Sequence, residues 1–216
     1  MHLYLSSYNV GREPHRLASL VRSPRALIVA NALDNVGDQR TAFVHSQARA
    51  LASLGIPAEE LDLRDHFVAP GGIARRLDGV GLVWVTGGNA FLLRRAMRQS
   101  GFDAYLLSRR DDDDLVYGGF SAGACVAGPT LRGLERVDAV DATAAGYVDG
   151  VVWEGLDLVP FSIAPHYRSE HGESSAVESM VAYWIDHKLP FVALRDGDAI
   201  IADAGAYVPR AGRPGG

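Results

Sequence analysis

Apolar and polar positions alternate in blocks along this chain. Residues 26–30, Ala-Leu-Ile-Val-Ala, form a continuous apolar run with β-branched members, the pattern of a strand buried on both faces. Residues 3–8, 60–63, 80–86, 115–117, 158–163 and 191–194 read as further strands. Between them, residues 40–54 set Ala42, Phe43, Ala48, Ala50, Leu51 and Leu54 at helical spacing, and Gly55 stops the run. Residues 90–99 predict a helix ending near Gly101, and residues 174–187 predict another. Residues 199–203 and 206–209 predict a closing hairpin. Strands alternating with helices predict an α/β fold, a doubly wound and mostly parallel sheet flanked by helices. Ligands in such sheets bind at the carboxyl ends of the strands, where the glycine-rich turns of this chain fall.

Composition narrows the class. The chain has 216 residues, 48% hydrophobic and 22% charged, which is ordinary globular usage. That length fits one catalytic domain over residues 1–208 with a C-terminal tail over 209–216. No apolar run reaches the ~18–20 residues of a membrane span, and the first residues lack the order of a signal peptide. The only cysteine, Cys125, permits no internal disulfide and no thiolate zinc site, and suits a reducing compartment. A cytoplasmic location is expected. A net charge of −5 and a pI near 5.8 argue against nucleic acid as the partner. The only lysine is Lys188; the excess of arginine reads as compositional bias. The acidic run 111–114 reads as a solvated turn or helix N-terminus.

Gly119-Phe120-Ser121-Ala122-Gly123 matches G-x-S-x-G between a predicted strand and a small-residue stretch able to start a helix. Such a turn strains its central residue and needs flanking glycines, because a Cβ there meets neighbouring backbone. The helix N-terminus then offers N–H groups to an oxyanion. Thr86-Gly87-Gly88-Asn89 ends another strand, so Gly88 is a candidate for a second oxyanion donor. The plainer reading of this turn makes Asn89 a helix N-cap. A serine nucleophile needs a base. His2, His15 and His187 fall at the terminus or on exposed helical positions, His45 lies within a helix, and His66 and His171 lie in polar loops. His166 directly follows an apolar strand and so reaches the edge that carries Ser121. Asp196, just after the strand 191–194, is the candidate acid, with Asp138, Asp141, Glu173 and Asp198 as competitors.

These segments together resemble the peptidase E (dipeptidase E, α-aspartyl dipeptidase) family of serine peptidases. The resemblance rests on residues 87–93, 119–124, 128–132, 164–167 and 194–198, and covers about residues 1–208. It implies a class I glutamine amidotransferase-like fold with serine in place of the amidotransferase cysteine. It implies Ser121 as nucleophile, His166 as base, and an oxyanion hole of the Gly88 and Ala122 N–H groups. The family's acid is a glutamate in a Leu-Pro-Glu-Gly-Asn-like turn; here the turn reads Leu194-Arg195-Asp196-Gly197-Asp198, so Asp196 takes its place. The aspartyl-specific members carry an arginine after the catalytic histidine. Ser175 stands at that register here, and Arg168 is the substitute cation. Asn89 and Arg168 are thus the expected substrate-binding residues.

The expected activity is a serine-type dipeptidase or peptidase acting on short peptides near the N-terminus, with preference for an N-terminal aspartate as a further implication of the resemblance. No metal or cofactor is required, and a monomer or homodimer without membrane contact is expected. Glutamine amidotransfer is disfavoured by Ser121 at the elbow and Arg168 two residues past the histidine. Cys125 reads as a small packed residue. An α/β-hydrolase esterase has its triad in a different chain order. A cyanophycinase-like hydrolase and a non-catalytic amidotransferase-like binding module are the alternatives.

Overall fold

The computed structural model describes residues 1–202 and the backbone of residues 203 and 206–210. In chain order its elements are β1 (His2–Ser6), α1 (Pro14–Leu20), β2 (Ala26–Val29), α2 (Gln39–Ala52), β3 (Ala58–Glu60), α3 (Ile73–Arg76), β4 (Leu82–Val85), α4 (Ala90–Ser100) and α5 (Phe102–Ser108). There follow β5 (Val116–Phe120), α6 (Ala122–Cys125), β6 (Ser162–Ala164), α7 (Ser174–Asp186), β7 (Phe191–Ala193), β8 (Ala199–Asp203) and β9 (Ala206–Arg210). The main sheet has the order β3-β2-β4-β5-β1-β8-β9. The first five strands run parallel, and β8 and β9 close the far edge antiparallel as a hairpin.

Burial on both faces explains the continuous apolar runs of the parallel strands. Leu3, Leu5, Leu27, Val29, Val83, Val85 and Tyr117 point to the face covered by α4, α5, α6 and α7. Tyr4, Ala26, Ile28, Leu82, Trp84 and Val116 point to the face covered by α1 and α2. The helix α4 is bounded as its sequence predicts. Asn89 accepts the Leu92 N–H at 2.9 Å as N-cap, and Gly101 takes the left-handed conformation at the C-terminal end. The acidic run lies in an exposed turn after α5, with Arg109 paired to Asp112.

The structure departs from the sequence expectation in five places. The strand expected over 60–63 falls at Ala58–Glu60, and a 3-10 turn covers Leu63–His66. The strand β5 continues through Gly118 and Gly119 to Phe120. A Cβ on Gly118 would stand 2.6 Å from the Trp84 ring, so that glycine makes room for the tryptophan and does not end the strand. The buried stripe of α2 is Arg40, Val44, Gln47 and Leu51, not the alanine-rich face, because Gln47 accepts the indole N–H of Trp84 at 3.0 Å. The stretch 158–163 becomes a strand only at Ser162–Ala164, and it pairs with β7 in a separate two-stranded parallel sheet. Finally, β9 runs through Pro209 and Arg210 into the expected tail; residues 211–216 lie outside the described residues. No helix among the described residues is long and apolar enough to cross a membrane.

Trp84 is fully buried in the sheet and anchors Gln47. Trp84→Ala is expected to lower stability by about 3–5 kcal/mol, measured as a shift of the urea unfolding midpoint.

Candidate active site

Ser121 stands where β5 turns into α6, with φ +49° and ψ −117°. This strained conformation persists because close packing leaves no alternative. A Cβ on Gly123 would come 2.3 Å from the Val85 carbonyl oxygen, and one on Gly119 would come 2.7 Å from the Gly123 oxygen. The turn is therefore clamped between two strands. Its own N–H reaches the carbonyl oxygens of Ser6 and Ser7 at 3.3 and 3.2 Å.

The turn after β4 approaches from the other side. Gly88 has φ +129°, and a Cβ there would sit 2.5 Å from the Ala32 oxygen. The Asn89 N–H donates to that same oxygen at 2.8 Å. Among the described residues, no hydrogen bond engages the N–H groups of Gly88 and Ala122, and both residues line one cleft with Ser121.

His166 and Asp196 arrive on the small sheet. Ala164 accepts the Leu194 N–H at 2.8 Å, and Leu194 accepts the Tyr167 N–H at 3.0 Å, so the ends of β6 and β7 stay in register. His166 Nδ1 then lies 2.7 Å from Asp196 Oδ1. The imidazole is 1% exposed. Burial lowers its pKa below the ordinary histidine value; Asp196 opposes this and His171 adds to it. The ring is therefore neutral at neutral pH, as a general base must be. Among the described residues no hydrogen bond joins Ser121 Oγ to His166. Catalytic hydrogen bonds are often long before substrate binds.

Three residues complete the arrangement that sequence reading did not select. Ser7, fully buried after β1, donates its hydroxyl to Asp196 Oδ1 at 2.8 Å and accepts the His166 N–H at 2.8 Å. Ser169 accepts the Asp196 N–H at 2.9 Å. His171 stacks on the His166 ring at 3.7 Å and 8°, and Tyr8 stands against both rings. A serine after a strand and a histidine in a polar loop carry no local signal; only the long-range packing reveals them.

The other candidates lie elsewhere. Asp198 accepts the Arg195 N–H at 3.0 Å and faces Arg12 at 3.8 Å. The Asn89 side chain caps α4 and donates to the Ala139 oxygen at 2.8 Å, so both of its polar groups are engaged within the protein. Arg168 is exposed, 3.6 Å from Glu178 and over the Tyr167 ring. Cys125 is buried, its thiol within 3.4 Å of the Ile163 oxygen and pushed to a higher pKa by desolvation, which suits a packed residue and not a nucleophile. The ligand atoms of His166, His171 and Glu173 lie within 4.8 Å of one another. The two rings lie in nearly parallel planes, so their in-plane lone pairs do not point at a common position as the ligands of a tetrahedral ion do.

The geometry has relatives. The profile of peptidase family S51 matches residues 17–207. An uncharacterised peptidase of Listeria monocytogenes is 32% identical over 132 residues, covering 61% of this chain and 61% of its own length. A peptidase E of Streptomyces coelicolor is 32% identical over 127 residues, covering 56% of this chain and 49% of its own. A peptidase E of Salmonella gallinarum is 28% identical over 172 residues, covering 77% and 67%. The matches thus span about half to two thirds of these relatives. The crystal structure of a candidate peptidase E from Listeria monocytogenes superposes with a TM-score of 0.76 at 23% identity over 97% of both chains, which establishes a class I glutamine amidotransferase-like fold. The chain therefore belongs to peptidase family S51, the family of the peptidase E proteins.

Proposed function

We propose that this protein is a serine-type peptidase that hydrolyses short peptides near their N-terminus through a Ser121–His166–Asp196 triad. The observation that carries this reading is the 2.7 Å contact of buried His166 with Asp196, tied through Ser7 to the strained Ser121 turn. Ser121 Oγ attacks the scissile carbonyl while His166 Nε2 takes its proton. The Gly88 and Ala122 N–H groups receive the developing oxyanion. Asp196 holds the Nδ1 proton and stabilises the imidazolium. His166 then protonates the leaving amine, and water hydrolyses the acyl-enzyme with His166 again as base. Stacking by His171 restricts rotation of the His166 ring throughout.

The acid is an aspartate, one methylene shorter than the glutamate of the resembling family. Ser7 supports it in this reading by donating to the oxygen that contacts His166. A buried hydroxyl bridging two triad segments leaves both less well placed when removed.

Three measurements test this function. Ser121→Ala is expected to keep the fold, to lose labelling by a fluorophosphonate, and to lower kcat on dipeptides by about 10⁶; full retention of turnover rejects Ser121 as nucleophile. Because burial lowers the His166 pKa, the neutral base persists to lower pH than in an ordinary histidine. The acid limb of kcat/KM should then have its midpoint below about 6.5, and a profile flat down to pH 4 excludes His166 as base. Ser7→Ala should lower kcat more than KM, by roughly 5- to 100-fold, the kinetic equivalent of about 1–3 kcal/mol of lost support. A change confined to KM assigns Ser7 to substrate binding instead.

A further inference from the structure

The cleft beside Ser121 has apolar walls that include Val137, Val177 and Met180, and two carboxylates, Asp138 and Glu173. Among the described residues that line it there is no lysine, arginine or histidine. Arg168, the one candidate for gripping an acidic substrate, is turned to Glu178 and Tyr167 on the exposed surface.

Asp138 is fixed in place. Its Oδ2 accepts the Ala90 N–H at 2.8 Å, and the next residue accepts from the Asn89 side chain at 2.8 Å. The carboxylate is therefore pinned to the turn that carries Gly88, at a set distance from the oxyanion donors. Among the described residues, no ion pair engages its carboxylate. Desolvation pushes its pKa up to about 6, the Ala90 N–H opposing and Glu173 adding to the rise. Asp138 thus has a neighbouring carboxylate and, among the described residues, no ion-pair partner, while Glu173 lies 4.0 Å from His171; a cation supplied by a ligand relieves part of the repulsion and desolvation at Asp138.

We propose that this cleft selects a substrate cation on the residue at the amino side of the scissile bond, its α-ammonium or its basic side chain, with Asp138 as the counter-ion, and that it disfavours aspartate at that residue. The inference rests on Ser121 being the nucleophile, since that places the first residue of the substrate in this cleft. Glu173, exposed at the rim, adds long-range attraction of the same sign.

The test uses Ser121→Ala protein, which binds without turnover. It is titrated calorimetrically with lysinamide, norleucinamide, N-acetyl-lysinamide and aspartic acid α-amide. Lysinamide is expected to bind at least about tenfold more tightly than the aspartic acid amide, the gain of one charge-assisted contact. Loss of affinity on acetylation identifies the α-ammonium as the bound cation; loss on going to norleucinamide identifies the side chain. Asp138→Asn keeps an acceptor for the Ala90 N–H and should remove most of the preference, with Glu173→Gln reducing it less. Equal affinity for all four compounds, tighter binding of the aspartic acid amide, or a preference untouched by both variants overturns the proposal. Wild-type kinetics on Lys-Leu, norleucyl-Leu and Asp-Leu separate this from the peptidase reading. Selective binding without any cleavage keeps the cleft assignment and rejects the peptidase. Cleavage at equal rates for all three peptides does the reverse.

Discussion

The Ser7 hydroxyl is the point on which the site depends. It accepts the backbone N–H of His166 and donates to the carboxylate of Asp196, while the Ser7 carbonyl accepts the N–H of Ser121. The Ser7 N–H in turn donates to the Asp198 carbonyl at 3.0 Å. One fully buried residue thus joins the ends of β1, β5, β6 and the turn after β7. Without it, the small sheet that carries His166 and Asp196 would meet the main sheet through fewer polar contacts. Buried polar groups that are fully satisfied fix one arrangement, and the same groups left unpaired are costly.

Around this knot, steric exclusion sets the two glycine-rich turns of the candidate site. The Ser121 turn is held because every added atom at Gly119 or Gly123 meets backbone. The Gly88 turn is held against the Ala32 carbonyl, and that carbonyl has its own support. Neighbouring Asn31 is fully buried, donating to Asp34 and Asp62 and accepting the Leu63 N–H at 3.1 Å. Arg40 reaches Asp34 at 2.7 Å from α2, and the Tyr147 hydroxyl reaches it at 2.6 Å from a distant loop. The polar stripe of α2 thereby supports the Gly88 turn by way of a buried ion network. This accounts for an arginine and a glutamine on the inward face of a helix whose alanines are more exposed.

Electrostatics divides the site into two halves. On one side, burial and the stacked His171 lower the His166 pKa while the Asp196 carboxylate opposes them. On the other, Asp138 and Glu173 make the cleft negative. The aspartate preference implied by the family resemblance would require a positive group there. The chain has twenty arginines, yet near the site Arg168 faces Glu178 and the Tyr167 ring, and Arg12 faces Asp198.

The sequence by itself determined the α/β class, the parallel core strands, the capped α4 and the small-residue turn at Ser121. Each follows from local rules: period, caps, and the need for glycine where backbones touch. That Ser121, His166, Asp196 and Gly88 fall within three residues of a strand's end was legible; that β6 and β7 bring His166 and Asp196 from a separate sheet was not. Legible too was the hairpin, from two short runs at the end of the chain. The inward stripe of α2, the separate pairing of β6 with β7, and the roles of Ser7, Ser169 and His171 were not. Those depend on partners more than a hundred residues apart in some cases, such as the contact of Ser7 with His166. Only the tertiary structure decided that Arg168 faces outward and that Asp138 faces the cleft. The direction of a side chain on a loop is set by the surfaces that pack against it, and no local pattern encodes those surfaces.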